Sequence, residues 1–137
     1  MALRLEELAK TIDHTLLRPT ATVGDVDQLC EEAREHHFAS VCVLPYHVPH
    51  AVDGLRGCDV KVCAVVSFPF GADSTRAKVA AAEDAIRVGA EELGAVLSLP
   101  GLFSGDFRYV RDQLVSLVRA VRVKSVNAGR GIVLLKA

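Results

Sequence analysis

The sequence predicts an α/β protein: about five parallel strands alternating with helices, as in the front part of a TIM-type (β/α)8 barrel. Three observations carry this. Short apolar runs closed by Pro or Gly recur along the chain. Segments with apolar residues at steps of three and four lie between them. The runs also read as buried on both faces, which implies a parallel sheet with right-handed crossovers.

The elements follow in order. Met1 to Lys10 alternates apolar and charged residues like a helix. Ile12 to Leu17 is a weaker first strand. Thr22 is an N-cap type, and Asp25, Val26, Leu29, Cys30 and Ala33 follow it at helical spacing, so a helix should run to His36-His37. Ala39 to Leu44, closed by Pro45, reads as a buried strand. A short helix should place Val48, Ala51, Val52 and Leu55 on one face, with Gly57 beyond its end. Lys61 to Ser67 is the next strand, and Phe68-Pro69-Phe70-Gly71 a loop. Ser74 or Thr75 opens an Ala-rich helix to Val88, stopped by Gly89. Leu93 to Leu99 is expected as the fourth core strand, ended by Pro100-Gly101. Asp106 caps a long helix through Val110, Leu114, Leu117, Val118 and Val121. Asn127 to Gly131 is a loop, and Ile132 to Lys136 the last strand. That run has no turn or cap after it, so 1–137 is expected to be a single incomplete barrel domain. Five such strands fit the opening of a (β/α)8 barrel or an open doubly wound sheet.

Composition removes several function classes. The net charge of −1 gives no electrostatic case for nucleic acid or an anionic membrane. No apolar run reaches the ~18 residues of a membrane span. The N-terminus lacks the apolar core and cleavage site of a signal peptide, which points to the cytoplasm. No G-x-G-x-x-G follows the first strand, which argues against dinucleotide binding. The four cysteines, Cys30, Cys42, Cys58 and Cys63, form no C-x-x-C pair and read as structural thiols. His14, His36, His37, His47 and His50 form no ligand pattern, so neither a metal nor a cofactor is implied.

In a barrel, chemistry sits at the C-terminal ends of strands. Asp13, in the run Asp13-His14-Thr15, is either a turn-bonding residue or a carboxylate that pairs with a lysine. Lys136 lies in the last apolar strand, where an inward ammonium needs a partner. Pointing inward it would couple with Asp13; pointing outward it would be a solvated edge residue. Ser67, ahead of the Phe-Pro-Phe-Gly loop, could contact a substrate or simply end the strand.

Four motifs then stand in an order that resembles the deoxyribose-phosphate aldolase family. They are Ile12 to Pro19 (Ile-Asp-His-Thr-Leu-Leu-Arg-Pro), Phe38 to Val43 followed by Pro45, Val60 to Val66 with Phe68 to Gly71, and Ser104-Gly105-Asp106-Phe107. Together they span nearly all of the chain but little over half of the family's barrel. The resemblance implies a metal-independent class I aldolase that cleaves 2-deoxyribose 5-phosphate to glyceraldehyde 3-phosphate and acetaldehyde. It implies Asp13 as the strand-one aspartate, Lys136 as the strand-five lysine and Cys42 as a cysteine beside the site. The family's Schiff-base lysine belongs to strand six and its activating lysine to strand seven.

Two departures matter. The family's strand-four aspartate falls at Gly94, and a frequent asparagine falls at Leu44. The expectation is therefore an aldolase relative that is weak or inactive alone, with a phosphorylated sugar or small aldehyde as its ligand. The alternative is a non-catalytic half-barrel that self-associates, or binds a partner, through its open apolar face; a homo-oligomer is expected either way. Lys136 acting as an amine nucleophile is a third reading.

Overall fold

The computed structural model describes residues 4–128 and 134–137. It contains five strands in the order β1-β2-β3-β4-β5, with helices between them. Its contacts cluster into two compact units, residues 1–64 and 65–137.

The first unit opens with the short helix α1 (Leu5–Ala9), which buries none of its residues. The strand β1 (Asp13–Leu16) follows. Helix α2 (Val23–His36) begins where Thr22 Oγ1 accepts the Asp25 N–H and Asp25 bonds back to Thr22. It ends at His37, whose φ of 53° is left-handed. Its buried stripe is Val26, Leu29, Cys30 and Ala33, the residues the sequence spacing had put on one face. Strand β2 (Ser40–Val43) is buried throughout. A 3₁₀ turn (Pro45–His47) leads into α3 (Val48–Gly54), which is tied to α2 by His50–Asp27 at 2.7 Å. Strand β3 (Lys61–Val66) pairs in parallel with β2, as β2 does with β1. Around the N-terminal side, Asp59 takes Lys10 at 2.5 Å and His37 at 3.2 Å. These bonds, Lys10 first, hold the Asp59 carboxyl down at about 2.

The second unit takes over at the end of β3. Ser67 has φ 59° and the Phe68–Pro69 peptide is cis. Gly71, with φ 62°, sits where a Cβ would lie 1.8 Å from the Leu97 carbonyl oxygen, so no other residue fits. Helix α4 (Thr75–Val88) is capped by Ser74, whose Oγ accepts the Ala77 N–H, and stops at Gly89 with φ 122°. Strand β4 (Glu92–Ala95) is followed by the one-turn helix α5 (Leu99–Phe103) and the long α6 (Phe107–Asn127), whose N-cap Asp106 accepts the Tyr109 N–H. Strand β5 (Leu134–Lys136) pairs in parallel with β4. The Val96 N–H donates to the Val66 carbonyl at 3.0 Å, which joins the end of β3 to the β4 side.

One expectation is corrected. The fourth strand does not reach Leu99; it ends at Ala95 and Leu99 opens a helix. Ser98 caps that helix by accepting the Gly101 N–H, and Pro100 sits in its first turn, where a missing N–H costs nothing. Residues 1–3, most of the 127–131 loop and Ile132-Val133 lie outside the described residues.

Cys30, Cys42 and Cys63 are buried and Cys58 is half-buried. Burial, helped by the nearby Asp27 carboxylate, pushes the Cys30 thiol up to about 11. Iodoacetamide at mildly alkaline pH should therefore label Cys58 first and leave Cys30 and Cys63 unmodified until the fold is unfolded. Peptide mass mapping reads this directly; labelling of Cys30 at the Cys58 rate would contradict it.

Candidate functional site

In the first unit the two faces of the sheet have opposite characters. His14 points toward α2, where its Nε2 lies 2.6 Å from Glu32 Oε2. Its chain neighbours Asp13 and Thr15 therefore occupy the other face. Asp13 is in register with Ser40, and Thr15 with Cys42 and, one strand on, Cys63. Ser40, fully buried, donates its hydroxyl to Asp13 Oδ1 at 2.6 Å. Thr15 donates to the Asp13 carbonyl at 2.8 Å. Asp13 and Cys42 thus share one face of the same sheet, two residue levels apart. Ser40 escaped the sequence reading; a lone hydroxyl at the head of an otherwise apolar strand was its signal.

In the second unit Lys136 is in register with Gly94. Its Nζ lies 2.5 Å from Glu92 Oε2, and the Glu92 side chain is only 8% exposed while that of Lys136 is 33% exposed. Gly94, Ala95, Val96, Leu97, Leu99, Leu102, Lys136 and Ala137 line a hollow of about 380 Å³. The wall is apolar except for the lysine. Glycine at 94 leaves the space beside Lys136 without a side chain. Glu92 also escaped the sequence reading, because it follows Glu91 ahead of the apolar run and reads as part of a polar turn. Ser67 stands at the end of β3. Its carbonyl accepts the Gly71 N–H at 2.7 Å and its Oγ accepts the Asp73 N–H at 3.4 Å.

A third missed residue is Lys78. It is 2% exposed, and its Nζ donates to the Val96 carbonyl at 2.8 Å and to Gln113 Oε1 at 2.6 Å. Burial holds its ammonium below the ordinary 10.5, opposed by the Asp73 carboxylate. Nothing in the helical pattern marked it, because a lysine on an Ala-rich helix reads as surface. His47 is also buried, with Nδ1 lacking a hydrogen-bond partner among the described residues. Among those residues no group of three His, Cys, Asp or Glu side chains could hold a metal ion.

The two units thus hold pieces of a parallel α/β barrel, with polar residues on the sheet face turned away from α2 and an acid–lysine pair beside a hollow at the β4–β5 edge. No protein-family model matches the chain. It is 49% identical over 120 residues to the deoxyribose-phosphate aldolase of Treponema denticola, covering 88% of this chain and 56% of that protein. Its fold matches a candidate deoxyribose-phosphate aldolase from Coccidioides immitis with a TM-score of 0.83 and 37% identity, over 98% of this chain and 50% of the other. It also matches the deoxyribose phosphate aldolase of Aeropyrum pernix, described as a tetramer, with a TM-score of 0.67 and 26% identity, over 96% and 64%. The architecture is that of a partial TIM barrel. The chain belongs to the deoxyribose-phosphate aldolase family and spans about half the length of the curated relatives it matches.

Two expectations follow. Lys136→Met strands the Glu92 carboxylate. Losing one partner of a buried pair costs ~3–5 kcal/mol, and the partial exposure of the lysine reduces this to about 1–3 kcal/mol. Denaturant melts should show that loss, with recovery when Glu92→Leu is added; additive losses would argue that the pair contributes nothing. For Lys78 the unfolded chain holds its proton more tightly than the fold does. Between the lowered value and 10.5 the unfolded state therefore binds more protons, and the lysine's contribution to stability rises with pH. The stability gap between wild type and Lys78→Met should widen from neutral pH toward pH ~10. A gap that stays constant or narrows would contradict the buried ammonium.

Proposed function

We propose that this chain carries the front half of a deoxyribose-phosphate aldolase site, as one incomplete barrel domain over 1–137, and that alone it has little or no retro-aldol activity. The observation that carries the reading is 49% identity to an enzyme of that name over 88% of this chain. In this reading Asp13 and Lys136 are the relay positions, and Cys42 and Ser67 face the substrate. The ligand class is a phosphorylated sugar or small aldehyde. The Asp13 and Cys42 side chains on one face, and Lys136 at the rim of a hollow, support those assignments. The Schiff-base lysine of the family belongs to a sixth strand, and position 94 offers no carboxylate to move a proton through water. Lys136, ion-paired with Glu92, is a poor nucleophile as it stands. Neither nucleic acid nor membrane enters this reading. Among the described residues no helix is long and apolar enough to cross a membrane, and we assign the chain to the cytoplasm.

A second reading is self-association through the open face. The exposed Phe70, Phe103 and Phe107 of the second unit favour it, as does the tetramer described for the Aeropyrum pernix relative. Sedimentation at micromolar concentration should then show a dimer or larger species; a stable, well-folded monomer would count against it.

Chemistry is tested by borohydride reduction in the presence of acetaldehyde or 2-deoxyribose 5-phosphate. No lysine adduct and no aldehyde release are expected. A specific adduct at Lys136, lost in Lys136→Ala, would overturn the reading and make Lys136 an amine nucleophile.

A further inference from the structure

The loops that follow β3 and β4 are joined through the interior of the second unit by a closed ring of hydrogen bonds. Ser67 Oγ accepts the Asp73 N–H at 3.4 Å, the longest link. The Asp73 carbonyl accepts Gln113 Nε2 at 3.2 Å. Gln113 Oε1 accepts Lys78 Nζ at 2.6 Å, and the same ammonium donates to the Val96 carbonyl at 2.8 Å. The Val96 N–H donates to the Val66 carbonyl at 3.0 Å, and Val66 is bonded in the chain to Ser67. Gln113 Nε2 is steadied further by Tyr109 OH at 3.1 Å and Thr75 Oγ1 at 3.4 Å.

Lys78 and Gln113 are 2% and 4% exposed, so water does not compete for these bonds. The ammonium donates to two neutral oxygens, the Val96 carbonyl and Gln113 Oε1. Moving the loop after β4 away would leave a buried charge with an acceptor missing, and moving the loop after β3 away would leave the buried Gln113 amide short of one; the first is far more costly than losing an ordinary contact. An apolar residue at 78 would fill the space but leave the Val96 carbonyl and Gln113 Oε1 without a donor.

We propose that Lys78 is a positioning residue of the candidate site. Through Gln113 it sets the loop that bears Ser67, and through Val96 it sets the wall of the hollow beside Lys136. It acts through these groups and touches no ligand. The inference rests on the aldolase reading only in naming the loops a site; the ring is tested without reference to activity, so the two can fail separately.

The test is amide hydrogen exchange, read by NMR on the 137-residue chain, in wild type, Lys78→Met, Gln113→Leu and Ile86→Val. Ile86 is fully buried on the same helix and takes no part in the ring, so its truncation reports a plain loss of packing. Both ring variants should speed exchange of the Gly71, Asp73 and Val96 amides by about tenfold or more beyond Ile86→Val, with amides of β1 and β2 changing no more than in that control. The same uniform acceleration in all three variants would overturn the proposal. Should Lys78→Met fail to fold, the wild-type chain still decides. The Lys78 ammonium protons should exchange slowly enough at neutral pH to give their own ¹⁵N-correlated signal, and their absence alongside well-resolved backbone amides would overturn the clamp.

Discussion

A parallel strand buried on both faces must find new partners for its backbone where it ends, and this constraint organises the rest of the molecule. The ends of β2, β3 and β4 are each resolved by a named device. β2 runs into Pro45, which needs no donor partner, and a 3₁₀ turn. β3 turns at Ser67 in a left-handed conformation, with its carbonyl taken by Gly71. β4 stops at Ala95, and the next carbonyl in the segment, that of Val96, is taken by a buried lysine. Ser67 and Lys78 thus place polar groups at the C-terminal ends of β3 and β4. The same ends are where a barrel presents its chemistry. Folding and site construction draw on the same few residues.

Local chemistry was legible where one residue decides it. Thr22, Ser74 and Asp106 cap the helices that the sequence pattern assigned to them, and Gly89 ends the helix before it. The stripe Val26, Leu29, Cys30 and Ala33 is buried as its spacing required. Legibility failed where an apolar run changed its meaning midway. Val96 to Leu99 looks like more strand, yet Ser98 and Pro100 convert it to a helix start, and two polar cues weighed less than the apolar run around them. It failed again where a charge is buried by tertiary packing. Lys78 and Glu92 sit in segments whose periodicity gives no warning, because their partners lie 35 and 44 positions away in the chain.

The candidate site divides along the same line. Asp13 was visible because a carboxylate in an apolar strand is conspicuous, and alternation places it on the face opposite His14. Its hydroxyl partner Ser40, in register across β1 and β2, required the pairing itself. A one-residue slip would have set Ser40 against His14 and turned Asp13 toward the helices.

The glycine at 94 bears on what Lys136 can do. A lysine attacks a carbonyl only as the free amine, so a site that uses one must supply something that takes its proton away and something that keeps it from being neutralised by a salt bridge. Here the lysine's position in the sheet faces a residue with no side chain, while Glu92, two residues back on the same strand face, reaches its ammonium at 2.5 Å. An anionic side chain at 94 would compete with Glu92 for the same ammonium and draw it toward the hollow. With glycine there, nothing on β4 does so, and the hollow remains apolar up to its rim. The arrangement places a charge pair at the edge of an apolar hollow, with the ammonium held on the Glu92 side.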